Sequence, residues 1–201
     1  MPERLTQLIP VESEFTLTRN ERLFTSKFTS ASQSVSSPTG LWEARLEFAN
    51  LRRSDAQVLI AKLWSLQGSA GGFTLYDWRS PKASGLGGAY SVTDYQQALP
   101  GKVAIQTGKT LGTVIAKAGD YVSIDGELKG LTETVTVDGL GKATLFFEPF
   151  MRKPVGLTST ATFDYPTGVF RLAPGFKVPS KASKKLVLSQ LVIDCIERVT
   201  V

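Results

Sequence analysis

Apolar and polar residues alternate with a period of two along most of the chain. Between Leu41 and Phe48, the residues Trp42, Ala44, Leu46 and Phe48 fall on one side and Glu43, Arg45 and Glu47 on the other. That is the pattern of a strand with one buried and one wetted face. Comparable stretches predict strands near residues 14–18, 22–28, 72–78, 103–106, 121–124, 133–137, 143–148, 161–164 and 185–198. Turn chemistry separates them: Asp125-Gly126, Asp138-Gly139 and Pro166-Thr167-Gly168 supply the positive or fixed φ that tight turns need. The clearest hairpin spans 134–147, with Val135 and Val137 facing Ala143 and Leu145 across a turn at 138–141.

One segment has helical spacing instead. Ser54-Asp55-Ala56-Gln57 has the form of a capping box, Leu59, Ile60, Leu63 and Trp64 make an apolar stripe, and Gly68 stands where a helix would close. A helix over 54–67 is expected, and no other. The fold class is therefore mainly β: an antiparallel β-sandwich or split barrel with one flanking α-helix, plus an inserted small β-barrel-like domain. The insert is placed between two loop-rich stretches, 80–88 and 173–181. The last strand (Leu186, Leu188, Leu191, Ile193, Cys195) is too apolar to hang free and is expected to return to the N-terminal strands. On that basis 1–80 plus 173–201 form one domain and 81–172 an outer one. The Ser/Thr-rich stretch 26–39 reads as a flexible loop or as an extended hairpin arm.

Composition narrows the chemistry. A chain of 201 residues can bury a core without a metal or disulfide to staple it. It has no histidine, which removes histidine-based triads, metal sites and acid–base groups. Its single cysteine, Cys195, allows no intrachain disulfide and no thiolate zinc cluster, and it reads as a small buried hydrophobe. Net charge is +5, from 23 Lys and Arg against 18 Asp and Glu, yet no basic stripe appears. The nearest approach is Lys181, Lys184 and Lys185, so a mixed surface is expected rather than a nucleic-acid footprint. The first residues lack the form of a signal peptide, and no apolar run approaches the ~20 residues needed to cross a bilayer. Assembly in the cytoplasm without membrane insertion is expected.

Candidate sites are few. Asp120, Asp125, Glu127, Asp138 and Glu148 are the carboxylates from which a glycosidase pair would be drawn, although Asp125 and Asp138 each precede a glycine in a turn. Asp120, Asp125 and Glu127 are too few for a calcium loop. Gly85, Gly87 and Gly88 follow a strand but precede neither a helix nor Gly-Lys-Ser/Thr, so they are no phosphate loop. Tyr76, Trp78, Tyr90 and Tyr95 are candidate platforms for a sugar, the basis of an alternative reading as a carbohydrate-binding β-sandwich. Trp42 and Trp64 are expected in the core, while Trp78 beside Arg79 suits a core or an interface equally. No catalytic residue, cofactor or metal is assigned.

The order of short phrases carries a resemblance. Phe15-Thr-Leu-Thr is followed by Trp42-Glu-Ala-Arg-Leu-Glu-Phe48, the capped helix, and Gly68-Ser-Ala-Gly-Gly-Phe-Thr-Leu-Tyr-Asp77. Then come Ala118-Gly-Asp-Tyr-Val122, Val137-Asp-Gly-Leu-Gly-Lys-Ala-Thr-Leu145, Glu148-Pro-Phe-Met-Arg152, Phe170-Arg-Leu172 and a returning strand. From about Leu41 onward this resembles the distal tail proteins of long-tailed bacteriophages and gene transfer agents. The resemblance implies a ring, typically a hexamer, between the tail tube protein and the tail hub or tip protein. It also implies an outer domain that can hold side-fibre or receptor-binding proteins, and DNA that passes through without specific binding. The family offers no motif of functional residues to carry over. The interface residues expected on this reading are Ser32, Gln33, Ser34 and Val35 in the polar stretch, with Trp78 and Arg79. Excess positive charge is expected away from the channel wall, since each Lys or Arg there would grip phosphate.

Overall fold

A computed structural model describes residues 3–94, 97–98, 100–178 and 187–199. Tyr95, Lys181, Lys184 and Lys185 lie outside the described residues. Two long strands come first, β1 (Glu12–Thr25) and β2 (Ser32–Arg52), followed by helix α1 (Arg53–Ser65) and the short strand β3 (Phe73–Leu75). Next are β4 (Ala89–Val92), β5 (Lys102–Gln106), β6 (Val114–Ala116), β7 (Tyr121–Ile124), β8 (Glu127–Leu131), β9 (Val135–Thr136), β10 (Lys142–Glu148) and β11 (Thr160–Thr162). The chain ends with β12 (Gly168–Leu172) and β13 (Val187–Glu197).

These strands form two bodies. One is a five-stranded antiparallel sheet of order β1-β2-β13-β12-β3, and the other a closed six-stranded barrel of order β10-β5-β4-β11-β7-β8. The returning strand β13 pairs with β2 from Val187↔Arg52 to Ile196↔Glu43. The sheet curls: the Ser13 hydroxyl on β1 donates to the Asp77 carboxylate just past β3, at 3.2 Å, although β1 and β3 are opposite edges of the strand order. The inner face of the sheet carries Leu46, Phe48, Leu191, Ile193 and Cys195, packed against Leu59, Leu63 and Leu66 of the helix segment. The second core fills the barrel with Val103, Ile105, Val122, Ile124, Leu145, Phe147 and Phe163. A two-stranded ribbon of β6 and β9 adds Ile115, Ala116 and Val135 to that core.

Four expectations change in detail. The strand β12, placed in the insert by the sequence, pairs with both β3 and β13, so the sheet resumes at Gly168 rather than at residue 173. Its alternating Phe170 and Leu172 match the sheet's inner face, where they are fully buried. The hairpin over 138–141 keeps its turn, with the Asp138 carboxylate accepting from the amides of Leu140 and Lys142. Its arms diverge, however: β9 pairs with β6, and β10 with β5 and β8, because closing the barrel satisfies more of the β10 backbone than a short hairpin would. The helix begins at Arg53 with Arg52 as N-cap and no side-chain cap bond, since β2 runs directly into it and leaves no turn for a capping box. Trp64 is 61% exposed, because the buried side of the helix turns on Ala56, Leu59 and Leu63. Trp42, by contrast, is buried as expected.

Candidate functional site

The stretch expected as loop or arm is an arm. The β1–β2 pairing continues past Arg19↔Gly40 through Glu21↔Ser36 to Thr25↔Ser32, with an irregularity between Arg19 and Glu21. β13 stops pairing with β2 at Glu43, so among the described residues the ribbon beyond Gly40 has no third strand. From Gly40 to Ser32 the ribbon reaches roughly 26 Å at about 3.3 Å per residue. Phe28 is 99% exposed at its tip, and Leu23, Phe24 and Val35 are exposed along it. Alternation puts Phe24, Arg22 and Val35 on one face and Leu23 on the other, so both faces carry apolar groups.

Ser32, Gln33, Ser34 and Val35 therefore stand together on the exposed arm. Trp78 and Arg79 do not join them. Asp77 holds Arg79 through its amide at 3.0 Å and is tied to Ser13, while Ser34 pairs with Leu23, ten residues further along β1 and roughly 33 Å away. Trp78 is half-buried against the sheet's core and Arg79 is exposed. Tyr76 is buried between the Trp78 ring, 4.9 Å away, and the Arg4 guanidinium, 4.7 Å from its centroid, with Tyr165 edge-on. Tyr90 packs edge-on against Phe163. These aromatics cover one another instead of offering free coplanar faces.

A buried ionic network, not foreseen from the sequence, fastens the root of the arm. Arg152, just past β10, donates to the carbonyl of Gly40, to both Glu197 oxygens at 2.9 and 2.8 Å, and to Glu127. Lys129 is fully buried and donates to Glu127 at 2.7 Å and to the Phe150 carbonyl at 3.0 Å. Burial holds its ammonium below the ordinary lysine range, opposed by the Glu127 carboxylate. Glu197 also accepts from the Trp42 amide, and the Trp42 indole donates to the Leu128 carbonyl at 2.9 Å. Sheet, arm and barrel thus meet in one joint with two cations and two carboxylates. The signal in the sequence was Glu127-Leu-Lys129, where alternation puts both charges on one strand face.

The other candidate carboxylates have polar partners of their own. Asp120 accepts from the amides of Ser84 and Lys117, and Glu148 pairs with Arg19 at 3.9 Å. Among the described residues no group of three or more His, Cys, Asp or Glu is placed to hold a metal. Burial, with Asp194 nearby, pushes the Cys195 thiol far above its ordinary range, so the thiolate is suppressed. No helix of the described residues is long and apolar enough to cross a membrane.

Two further surfaces stand out. The outer face of the sheet gathers Glu12, Glu14, Glu43, Glu47 and Asp194 against Arg45 and Arg171, in a chain whose net charge is +5. Near the arm's root, a groove of about 520 Å³ opens on the barrel, walled by Pro100, Phe146 and Phe150. Glu133, Glu148 and Lys102 line its margin. The Phe150 ring lies flat over Gly101, where a β-carbon would stand only 2.2 Å from Cε1. Compared with known proteins, the chain matches no family model and no curated protein sequence.

Proposed function

We propose that this chain is a ring-forming structural subunit of a bacteriophage-type tail, a distal tail component that joins the tail tube to the hub or tip and forms part of the DNA conduit. The observation that carries the reading is the arm. A two-stranded ribbon is marginal in water, and this one exposes aromatic and aliphatic groups on both faces. Docking on a neighbouring copy satisfies it, and it gives β1, an edge strand among the described residues, the company such edges require. Ser32, Gln33, Ser34 and Val35 then belong to the subunit contact, and Trp78 with Arg79 to a separate surface.

Charge supports the same reading. The arm carries Arg19, Arg22 and Lys27 against Glu21, whereas the outer sheet face is dominated by carboxylates. A channel lined by that face repels phosphate and lets DNA slide, while the cations sit in subunit contacts. The barrel is the outward part on this reading, available to side-fibre or receptor-binding proteins. The alternative, a glycan-binding module, finds less support, because Tyr76, Trp78 and Tyr90 are packed against neighbours.

Mass photometry over a dilution series, with negative-stain microscopy, tests the proposal. The expected result is a closed species near six subunits that appears as rings, and that is lost when residues 30–37 are deleted. A strict monomer, both alone and with tail-tube preparations, would overturn it, and rings that survive the deletion would overturn the arm's part in the subunit contact.

A further inference from the structure

The arm's root and the arm beyond it are held in different ways. Arg19 and Gly40 face each other across the ribbon, and one barrel segment, residues 148–152, reaches both. Glu148 at its start pairs with Arg19 at 3.9 Å, and Arg152 at its end donates to the Gly40 carbonyl. The middle of the segment is fixed in turn. The buried Lys129 ammonium donates to the Phe150 carbonyl at 3.0 Å, and the Met151 amide donates to the Pro100 carbonyl at 2.9 Å. Two residues past Gly40, the Trp42 indole is bonded to the Leu128 carbonyl on β8. Arg19 is half exposed, so its ion pair adds little. The buried bonds of Arg152 and Trp42 therefore clamp the root to the barrel, chiefly through β2.

Immediately beyond the clamp the ladder breaks. Pairing resumes at Glu21↔Ser36, so three residues of β2, 37–39, stand opposite the single residue 20 of β1. Here β2 turns to itself: the Ser37 and Thr39 hydroxyls bond each other at 2.7 Å, and the Thr39 amide donates to the Ser37 hydroxyl at 3.3 Å. Pro38 between them has no amide to give to a ladder. A hollow of about 610 Å³, lined by Arg19, Glu21, Arg22, Val35, Ser36 and Ser37, lies against the break and leaves room for movement. From Glu21↔Ser36 to Thr25↔Ser32 the register is regular again, so the outer ribbon keeps its own shape. A two-stranded ribbon resists bending through its cross-strand bonds and is weakest where they are interrupted.

We infer that the arm is a hinged lever: the outer ribbon, residues 21–36, pivots at the break between residue 20 and residues 37–39, while the clamp keeps its root fixed on the barrel. The exposed Phe28 at the tip then meets a docking surface over a range of angles without disturbing sheet or barrel. The pivot requires no particular docking surface and no ring.

Single-molecule energy transfer at picomolar concentration, where each burst of light comes from one copy, tests the hinge. Dyes sit at Lys27→Cys on the tip and at Leu140→Cys, an exposed turn position at the end of β10 opposite Glu148, in a Cys195→Ser background. Donor lifetimes are recorded with the efficiencies, so that fast averaging also counts as width. Deleting Pro38 and Thr39 leaves one residue of β2 opposite residue 20, restores the ladder and should roughly halve the width of the distance distribution. Inserting two glycines after Pro38 lengthens the break and should widen the distribution. If the shortened chain does not fold by circular dichroism, the insertion alone decides. A wild-type distribution as narrow as that of the shortened arm, or one that the glycines leave unchanged, would overturn the hinge. A width that survives the deletion would overturn it as well and place the bending at the clamp.

Discussion

The barrel and the arm are built from the same kind of strand and lead opposite lives. In the barrel, every strand has two hydrogen-bonded neighbours, and Val103, Ile105, Leu145 and Phe147 are almost wholly removed from water. In the arm beyond Gly40, each strand has one neighbour among the described residues, and Leu23, Phe24, Phe28 and Val35 face solvent. Closure makes the barrel self-sufficient, since a sheet without edges satisfies its own backbone and encloses its own core. The ribbon can do neither and must complete itself on another surface. Substitutions in the two regions should therefore separate stability from assembly.

The largest expected effect comes from hollowing the barrel. Phe163→Ala removes a fully buried ring and should cost about 3–5 kcal/mol in urea or thermal unfolding, assembled or not. Next is the joint. Arg152→Met leaves Glu197 without its cation and Glu127 with Lys129 alone, and frees the Gly40 carbonyl, for a loss of about 3 kcal/mol. Hydrogen exchange should quicken at residues 40–42 and 127–131 together, and unchanged exchange at either place would show that the joint does not hold arm and barrel as one. Gly101→Val drives a side chain into the Phe150 ring and should cost about 1–3 kcal/mol while spoiling the groove. At the tip the comparison reverses: Phe28→Ser should move stability by no more than about 0.5 kcal/mol, because the ring contacts nothing within its own chain, yet self-association should fall. A loss of stability at Phe28 comparable to that of Phe163 would erase the distinction.

The smallest effect is a tilt with pH. Because burial lowers the pKa of Lys129, the folded protein releases that proton at lower pH than the unfolded chain does. Between the two values the unfolded chain binds more protons, so this lysine's contribution to stability rises with pH. Relative to Lys129→Met, the wild type should gain as pH approaches the ordinary lysine value of about 10.4, measured by urea unfolding at stepped pH. A difference flat in pH would mean that the ammonium is not held as its burial implies.

What the sequence determined follows from short-range periodicity. Alternation is a local property, so Trp42-Ala44-Leu46-Phe48 announces a half-buried strand, and a lone stripe at helical spacing announces one helix, whatever lies elsewhere. The mainly β class, the helix and the apolar returning strand were legible for that reason. Partners are not local. Whether β10 pairs with β9 or closes a barrel with β5 and β8 depends on residues dozens of positions away. Tertiary structure likewise carried β12 to the sheet, turned Trp64 to solvent, buried Lys129 beside Glu127, and set the barrel's groove beside the arm's root. In the stretch 26–39, composition could not distinguish a loop from a ribbon, because serine and threonine serve both; the register of β1 on β2 decided it.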